Sequence, residues 1–231
     1  MKLLRPANER GHADFGWLDT RHSFSFGDYH DPRWMGFRSL RVINDDRLAA
    51  GQGFGMHPHR DMEIISFVIE GALEHKDSLG NGRIIREDEF QFMSAGSGVR
   101  HSEFNPLKEG TGRFLQIWIM PEQRGLAPRY QDLSYAGLPE GGVRLVASRD
   151  GRDGSIALRQ DAELWYLKLA AGGTHTHKVA PGRALWVQVA TGRVRVGDTE
   201  LAEGDGLAVA DESGLTLSAA EASRVLLFDL A

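Results

Sequence analysis

Two short stretches decide how this chain is read: GQGFGMHPHRDMEIISFVIEG, residues 51–71, and GVRHSEFN, residues 98–105. Each holds two ligand-type side chains at i, i+2 spacing, His57 with His59 and His101 with Glu103. Alternate side chains of a β-strand share a face, so each pair projects to one side. Two such strands facing one another bring three imidazoles and a carboxylate to one point. That donor set suits divalent iron, nickel, copper, manganese or zinc. Buried together without a cation, the same groups would be costly. The stretches therefore predict a metal site inside a β-barrel.

Outward from this pair of strands the pattern stays β. Residues 63–70 form an apolar run closed by Gly71, residues 72–75 restart a strand, and residues 77–82 turn again. Phe90 to Met93 leads into the Gly-rich residues 94–98, and Phe114 to Met120 reads as a buried strand. Upstream, residues 22–26 alternate with a period of two and residues 39–44 read as a further strand, with Asn44-Asp45-Asp46 as its closing turn. Residues 121–142 hold three prolines and read as a connector with one helical turn near residues 129–133. Strands are expected again near 142–146, 155–160, 163–170, 184–190, 193–196, 206–209 and 224–230. No stretch carries a convincing amphipathic helix.

Composition bounds the function. The chain has 231 residues, a formal net charge of -5 and no cysteine, so disulfides, thiolate ligands and cysteine nucleophiles are excluded together. From Val196 onward eight Asp/Glu face a single Arg, a balance that repels phosphates and argues against direct nucleic-acid binding. No apolar run reaches the roughly 20 residues of a membrane span, nor does the N-terminus read as a signal peptide. A cytoplasmic protein without membrane contact is expected.

A faint internal repeat relates the halves. Met56-His57-Pro58-His59 followed by an apolar strand is echoed by His175-Thr176-His177 followed by residues 185–189. The strand expected to complete the second set, residues 206–211, has no histidine. The fold predicted is all-β: two packed β-barrels of jelly-roll type, residues 1–125 and 126–231, with a metal in the first only. His175 and His177 are read as a solvent-facing strand end. His75 beside Asp77 reads as a structural pair, Asp61 as a turn residue, and His12, His22 and His30 as packed or surface groups. The aromatic residues between Phe15 and Phe37 read as core. Glu63 is read as a carboxylate that orients a histidine, with a role as catalytic base as the alternative.

The spacing Gly51-x5-His57-x-His59-x3-Glu63-x7-Gly71, then Gly98-x2-His101-x3-Asn105, is similar to the cupin signatures. With residues 10–13, 24–26, 35–37, 40–46, 74–80 and 94–98, the chain resembles the pirin family and its bacterial members of this length. The resemblance implies a bicupin with one mononuclear metal, usually iron(II), held by residues matching His57, His59, His101 and Glu103; nickel, copper, manganese, cobalt and zinc are the other candidates. It further implies quercetin 2,3-dioxygenase activity on a flavonol-like aromatic with dioxygen. The alternative it carries is a non-enzymatic iron-binding redox sensor or transcriptional coregulator working through a protein partner. For the enzyme, Glu103 is the expected proton acceptor, and Phe54, Met56, Phe67, Phe92 and Phe104 are the expected pocket lining.

Overall fold

The computed structural model describes all 231 residues and consists of β-strands, with two single-turn helices, Ala7–Glu9 and Arg152–Gly154. The chain forms two compact units. One comprises residues 11–36 and 40–136; the other comprises residues 1–10, 37–39 and 137–231.

Each unit pairs a seven-stranded sheet with a four-stranded one. In the first unit the large sheet runs Arg129–Ser134, Glu89–Ser94, Glu63–Glu70, Gly112–Ile119, Leu40–Leu48, Leu18–His22, Gly11–Asp14. The small sheet runs Gly53–His59, Val99–Phe104, Ala72–Asp77, Gly82–Arg86. In the second unit the large sheet runs Lys2–Arg5, Gly206–Ala210, Ala184–Thr191, Ser223–Leu230, Ala162–Leu169, Gly142–Ser148, Ile156–Ala157, and the small sheet Thr174–Lys178, Gly214–Ala219, Arg193–Val196, Thr199–Ala202. The two orders match strand for strand over most of their length, so the repeat sensed in the sequence is a repeat of topology. One element is indexed differently: the strand opposite His175 and His177 is Gly214–Ala219, which sets Leu217 against His175 and Leu215 against His177. It too offers no ligand.

Central strands are buried on both faces, which is why they read as unbroken apolar runs. In Glu63–Glu70 only Glu70 reaches solvent. Residues 44–46 form no turn: they lie inside the strand Leu40–Leu48, buried. The charge of Asp45 is absorbed by a partner distant in sequence. The Arg113 guanidinium grips Asp45 with two hydrogen bonds of 2.8 and 2.9 Å. Residues 129–133 are likewise strand rather than helix, because Arg129–Ser134 completes the edge beside Glu89–Ser94 from Arg129↔Ser94 to Ser134↔Glu89. The strand read at 22–26 ends at His22.

A polar row crosses the large sheet of the first unit. Ser66 is opposite Gln116, Gln116 opposite Asn44, and Asn44 opposite His22. Directly paired residues share a face. Two residue pairs further along, and so on the same face, Asp46 stands opposite Thr20. This row is what the sheet presents to the histidine-bearing strands.

Candidate metal centre

The strands Gly53–His59 and Val99–Phe104 are antiparallel neighbours, with His101 opposite His57 and Val99 opposite His59. A bulge between His101 and Glu103 sets Glu103 against Phe54 and brings the backbones close; a Cβ on Gly53 would sit 2.1 Å from the Glu103 carbonyl. Gly53–His59 is the edge of its sheet, so Pro58 leaves no ladder bond missing and the strand runs through it. His57 and His59 thus share a face while Met56 and Pro58 point to solvent.

The three imidazoles converge. Ring centroids lie 4.8 Å apart for His57 and His59, 4.5 Å for His57 and His101, and 4.8 Å for His59 and His101. One nitrogen from each falls within 4.8 Å of the others. His57 Nδ1 is 2.8 Å from the Gly55 carbonyl, so that nitrogen donates and Nε2 is left as a lone pair. His101 is fully buried, and its Nε2 has no hydrogen-bond partner. Burial, then the neighbouring imidazoles of His101 and His57, push His59 down to about 4; burial, then His57 and His75, push His101 down to about 3. Both are neutral at pH 7, the form in which imidazole donates to a metal. A buried nitrogen with an unused lone pair, facing two other imidazoles, is the donor geometry a divalent cation fits.

Glu103 lies at the edge of this cluster, its Oε2 3.9 Å from His101 Nε2. Gln116 Nε2 donates to both carboxylate oxygens at 3.0 and 2.9 Å, and Ser66 Oγ lies 3.2 Å from Oε1. The large sheet therefore sets the position of Glu103. Sequence reasoning missed both residues, since nothing local ties Ser66 or Gln116 to residue 103. It also missed how far the pair His75 and Asp77 reaches. His75 Nε2 is 3.2 Å from Asp77 Oδ2, and His75 Nδ1 is 3.4 Å from His101 Nδ1. Tyr130 stacks on the His75 ring at 5.0 Å.

Glu63 stands on the large sheet, where its carboxylate accepts a hydrogen bond from Ser94 Oγ and lies 3.9 Å from Arg129. The strand parity that would join it to His57 and His59 is lost at Asp61, a turn residue with φ 50°. In the second unit His177 is buried rather than solvent-facing and bonds Asp229 at 2.8 Å, while Arg183 bonds both Asp229 and Asp161. A guanidinium already supplies the cation there. His12 pairs with Asp19 at the surface, His30 is exposed, and His22 is buried against Phe26.

Beside the histidines lies a cavity of about 480 Å³, within the range of small-molecule pockets. Phe15, Phe26, Tyr29 and Phe54 form apolar walls; Thr20, His22, Asn44 and Asp46 supply polar groups. Phe54 stands 6.2 Å from the His57 ring; Phe26 packs on Trp118, which packs on His59. Of the expected lining residues only Phe54 takes part. Phe67 and Phe92 are core, and Met56 is exposed. Phe26 and Tyr29, read as core, line the cavity instead, while Phe24 and Trp34 are buried as expected. Burial raises the Asp46 carboxyl to about 7, helped by Asp45 and Glu103 and opposed by the Thr20 hydroxyl.

Two barrels of one topology, with a histidine metal centre in the first, define a two-domain cupin. The pirin family model matches residues 4–119, and the model described as quercetinase C-terminal cupin domain matches residues 145–230. A quercetin 2,3-dioxygenase of Escherichia coli is 50% identical over 230 residues, covering 100% of this chain and 99% of that protein. A pirin-like protein of Caulobacter vibrioides is 40% identical, covering 98% of each. Among solved structures, the bacterial pirin YhhW of E. coli in complex with nickel(II) superposes with a TM-score of 0.95 at 50% identity, covering 100% of this chain and 99% of that one. The chain belongs to the pirin family. No helix is long and apolar enough to cross a membrane.

Proposed function

We propose that the chain is a metal-dependent dioxygenase of the quercetin 2,3-dioxygenase type. One divalent metal, iron(II) in our assignment, is held by His57, His59, His101 and Glu103 in the first barrel, and none in the second. The observation that carries this reading is the convergence of three imidazoles, one with a buried Nε2 that has no hydrogen-bond partner, beside an aromatic-lined cavity whose Phe54 stands 6.2 Å from the His57 ring. The names of the relatives supply the substrate class, a flavonol, with dioxygen as co-substrate.

When bound, the metal supplies Lewis acidity toward the flavonol 3-oxyanion. The chain's own residues do the rest. Phe15, Phe26, Tyr29 and Phe54 hold the planar ring system and exclude water. Glu103, kept in place by Gln116 and Ser66, accepts the proton of the 3-hydroxyl. Dioxygen then adds across the electron-rich ring, which opens with loss of carbon monoxide.

Iron-loaded protein incubated with quercetin in air should bleach the flavonol absorption band and release carbon monoxide, and His101→Ala should abolish both while the protein stays folded. Absence of turnover with iron, nickel, copper, manganese and cobalt alike would remove this reading.

A further inference from the structure

The polar row of the large sheet is satisfied at one end and not at the other. Gln116 donates to both oxygens of Glu103, and the Ser66 hydroxyl lies between Gln116 Oε1 and Glu103 Oε1, at 3.0 and 3.2 Å. Asn44, next in the row, and Asp46, two residues along the same strand, line the cavity instead. Asn44 is 4% exposed and Asp46 is 3% exposed, and the Oδ1 atom of each is buried with no hydrogen-bond partner. A buried polar atom left unpaired bears its full desolvation cost with nothing to offset it. Two of them, beside the equally unpartnered Thr20 hydroxyl and facing the aromatic walls, make a polar wall that is completed by a ligand.

We propose that Asn44 and Asp46 are the substrate-reading pair of this cavity, accepting hydrogen at their Oδ1 atoms from ring hydroxyls of a planar polyhydroxylated aromatic, other than the hydroxyl carried to the histidines. The proposal rests on the dioxygenase reading for the orientation of the substrate. Its chemistry follows from the wall itself. At pH 8, where the test below is run and Asp46 is ionised, both unpaired atoms are acceptors, so the matching groups are donors: free hydroxyls satisfy them, whereas a bare ring or a methyl ether leaves them buried and unpaired. Their i, i+2 spacing separates the two backbone positions by about 7 Å, within reach of hydroxyls on a single ring. Phe15, Phe26, Tyr29 and Phe54 supply the flat apolar contact such a ring needs.

The test is equilibrium binding to nickel-loaded protein at pH 8 under nitrogen, comparing quercetin with 3-hydroxyflavone, whose one hydroxyl is the group carried to the histidines. Wild type should bind quercetin at least about tenfold more tightly. In Asn44→Leu and Asp46→Leu that preference should shrink, and in the double variant it should fall to within about threefold. Equal wild-type affinity for the two flavonols, failure to bind either, or a preference that survives both substitutions would overturn the proposal. The wild-type comparison needs no variant, so poor folding of a substituted protein leaves the test intact. Binding is read without dioxygen: an inactive protein that keeps the preference would remove only the dioxygenase reading, and an active one without it only this inference.

Discussion

His75 Nδ1 lies 3.4 Å from His101 Nδ1, and this contact couples the tautomers of the two rings. If His101 gives its Nε2 lone pair to a metal, its hydrogen is on Nδ1 and must be donated to His75. His75 then carries its own hydrogen on Nε2 and donates it to Asp77 Oδ2, 3.2 Å away. Asp77 is suited to that role: burial would raise its pKa, but hydrogen bonds from Asn81, His75 and the Leu79 amide outweigh it and hold the carboxyl below its ordinary value. Chains of this kind orient a ligand and raise its basicity. His75→Phe keeps the ring volume and removes the acceptor, so metal affinity should fall about 10–100-fold with the fold retained. A chelator competition titration, with thermal melting as the check on folding, reads both. Unchanged affinity would show that the contact plays no part in holding the metal.

Proton competition at the centre follows from the lowered values of His59, about 4, and His101, about 3. Three imidazoles at the ordinary value of about 6.5 would lose roughly a thousandfold in metal affinity between pH 7.5 and 5.5. Here His59 and His101 stay neutral across that range, so the loss should be far smaller than that. Stability of the metal-free protein falls in the same direction. Unfolding restores ordinary imidazoles that bind protons the folded protein refuses. Metal-free protein should therefore lose stability as pH falls from about 6.5 toward 4. Metal titrations and melting curves at four or five pH values test both statements, and a steep loss of affinity starting at pH 6.5 would contradict the first.

The metal pairs were legible because both lie on strands, where i, i+2 is a local statement about a face. That His57 and His59 share a face, and His101 and Glu103 another, could be read from each strand alone, and the three imidazoles do come together. Asn44-Asp45-Asp46 could not be read that way. Three turn-forming residues sit inside a buried strand only because Arg113, 68 positions away, neutralises Asp45, and because the barrel interior needs polar groups at 44 and 46. The helical turn expected near residues 129–133 fails for the same reason: the strand character of Arg129–Ser134 comes from the neighbouring Glu89–Ser94 edge, not from its own pattern. The support of Glu103 by Ser66 and Gln116, and of His101 by His75, is a product of barrel closure. No window of sequence contains it.

The Arg113 and Asp45 pair gives a direct measure of that long-range neutralisation. Both side chains are buried, and the contact is bidentate. Arg47, 3.6 Å from Asp45 and partly exposed, replaces it poorly. Arg113→Met should cost about 3 kcal/mol or more, because a carboxylate is left buried without its main partner. Adding Asp45→Asn should recover part of the loss, since the stranded charge is then gone. Urea denaturation of the two variants decides this; equal destabilisation of the single and double variants would mean that lost packing, not the unpaired charge, sets the cost.

Asp46 offers the complementary case, a carboxyl that burial raises to about 7 from an ordinary value of 3.8, with Asp45 and Glu103 adding to the rise and Thr20 opposing it. Below about pH 4 the side chain is protonated whether the chain is folded or not, so Asp46→Asn should leave stability nearly unchanged there. Between about pH 4 and 7 the unfolded chain ionises while the folded one keeps its proton, and wild type falls progressively behind the variant. Above about pH 7 both states are ionised and the gap levels off, at no more than about 4 kcal/mol. Chemical denaturation of metal-free wild type and Asp46→Asn at pH 4, 6 and 8 should therefore show a difference that opens with rising pH in favour of the variant. A constant difference, or one that opens toward acid, would mean that Asp46 folds already ionised and that Thr20 and the barrel interior solvate its charge.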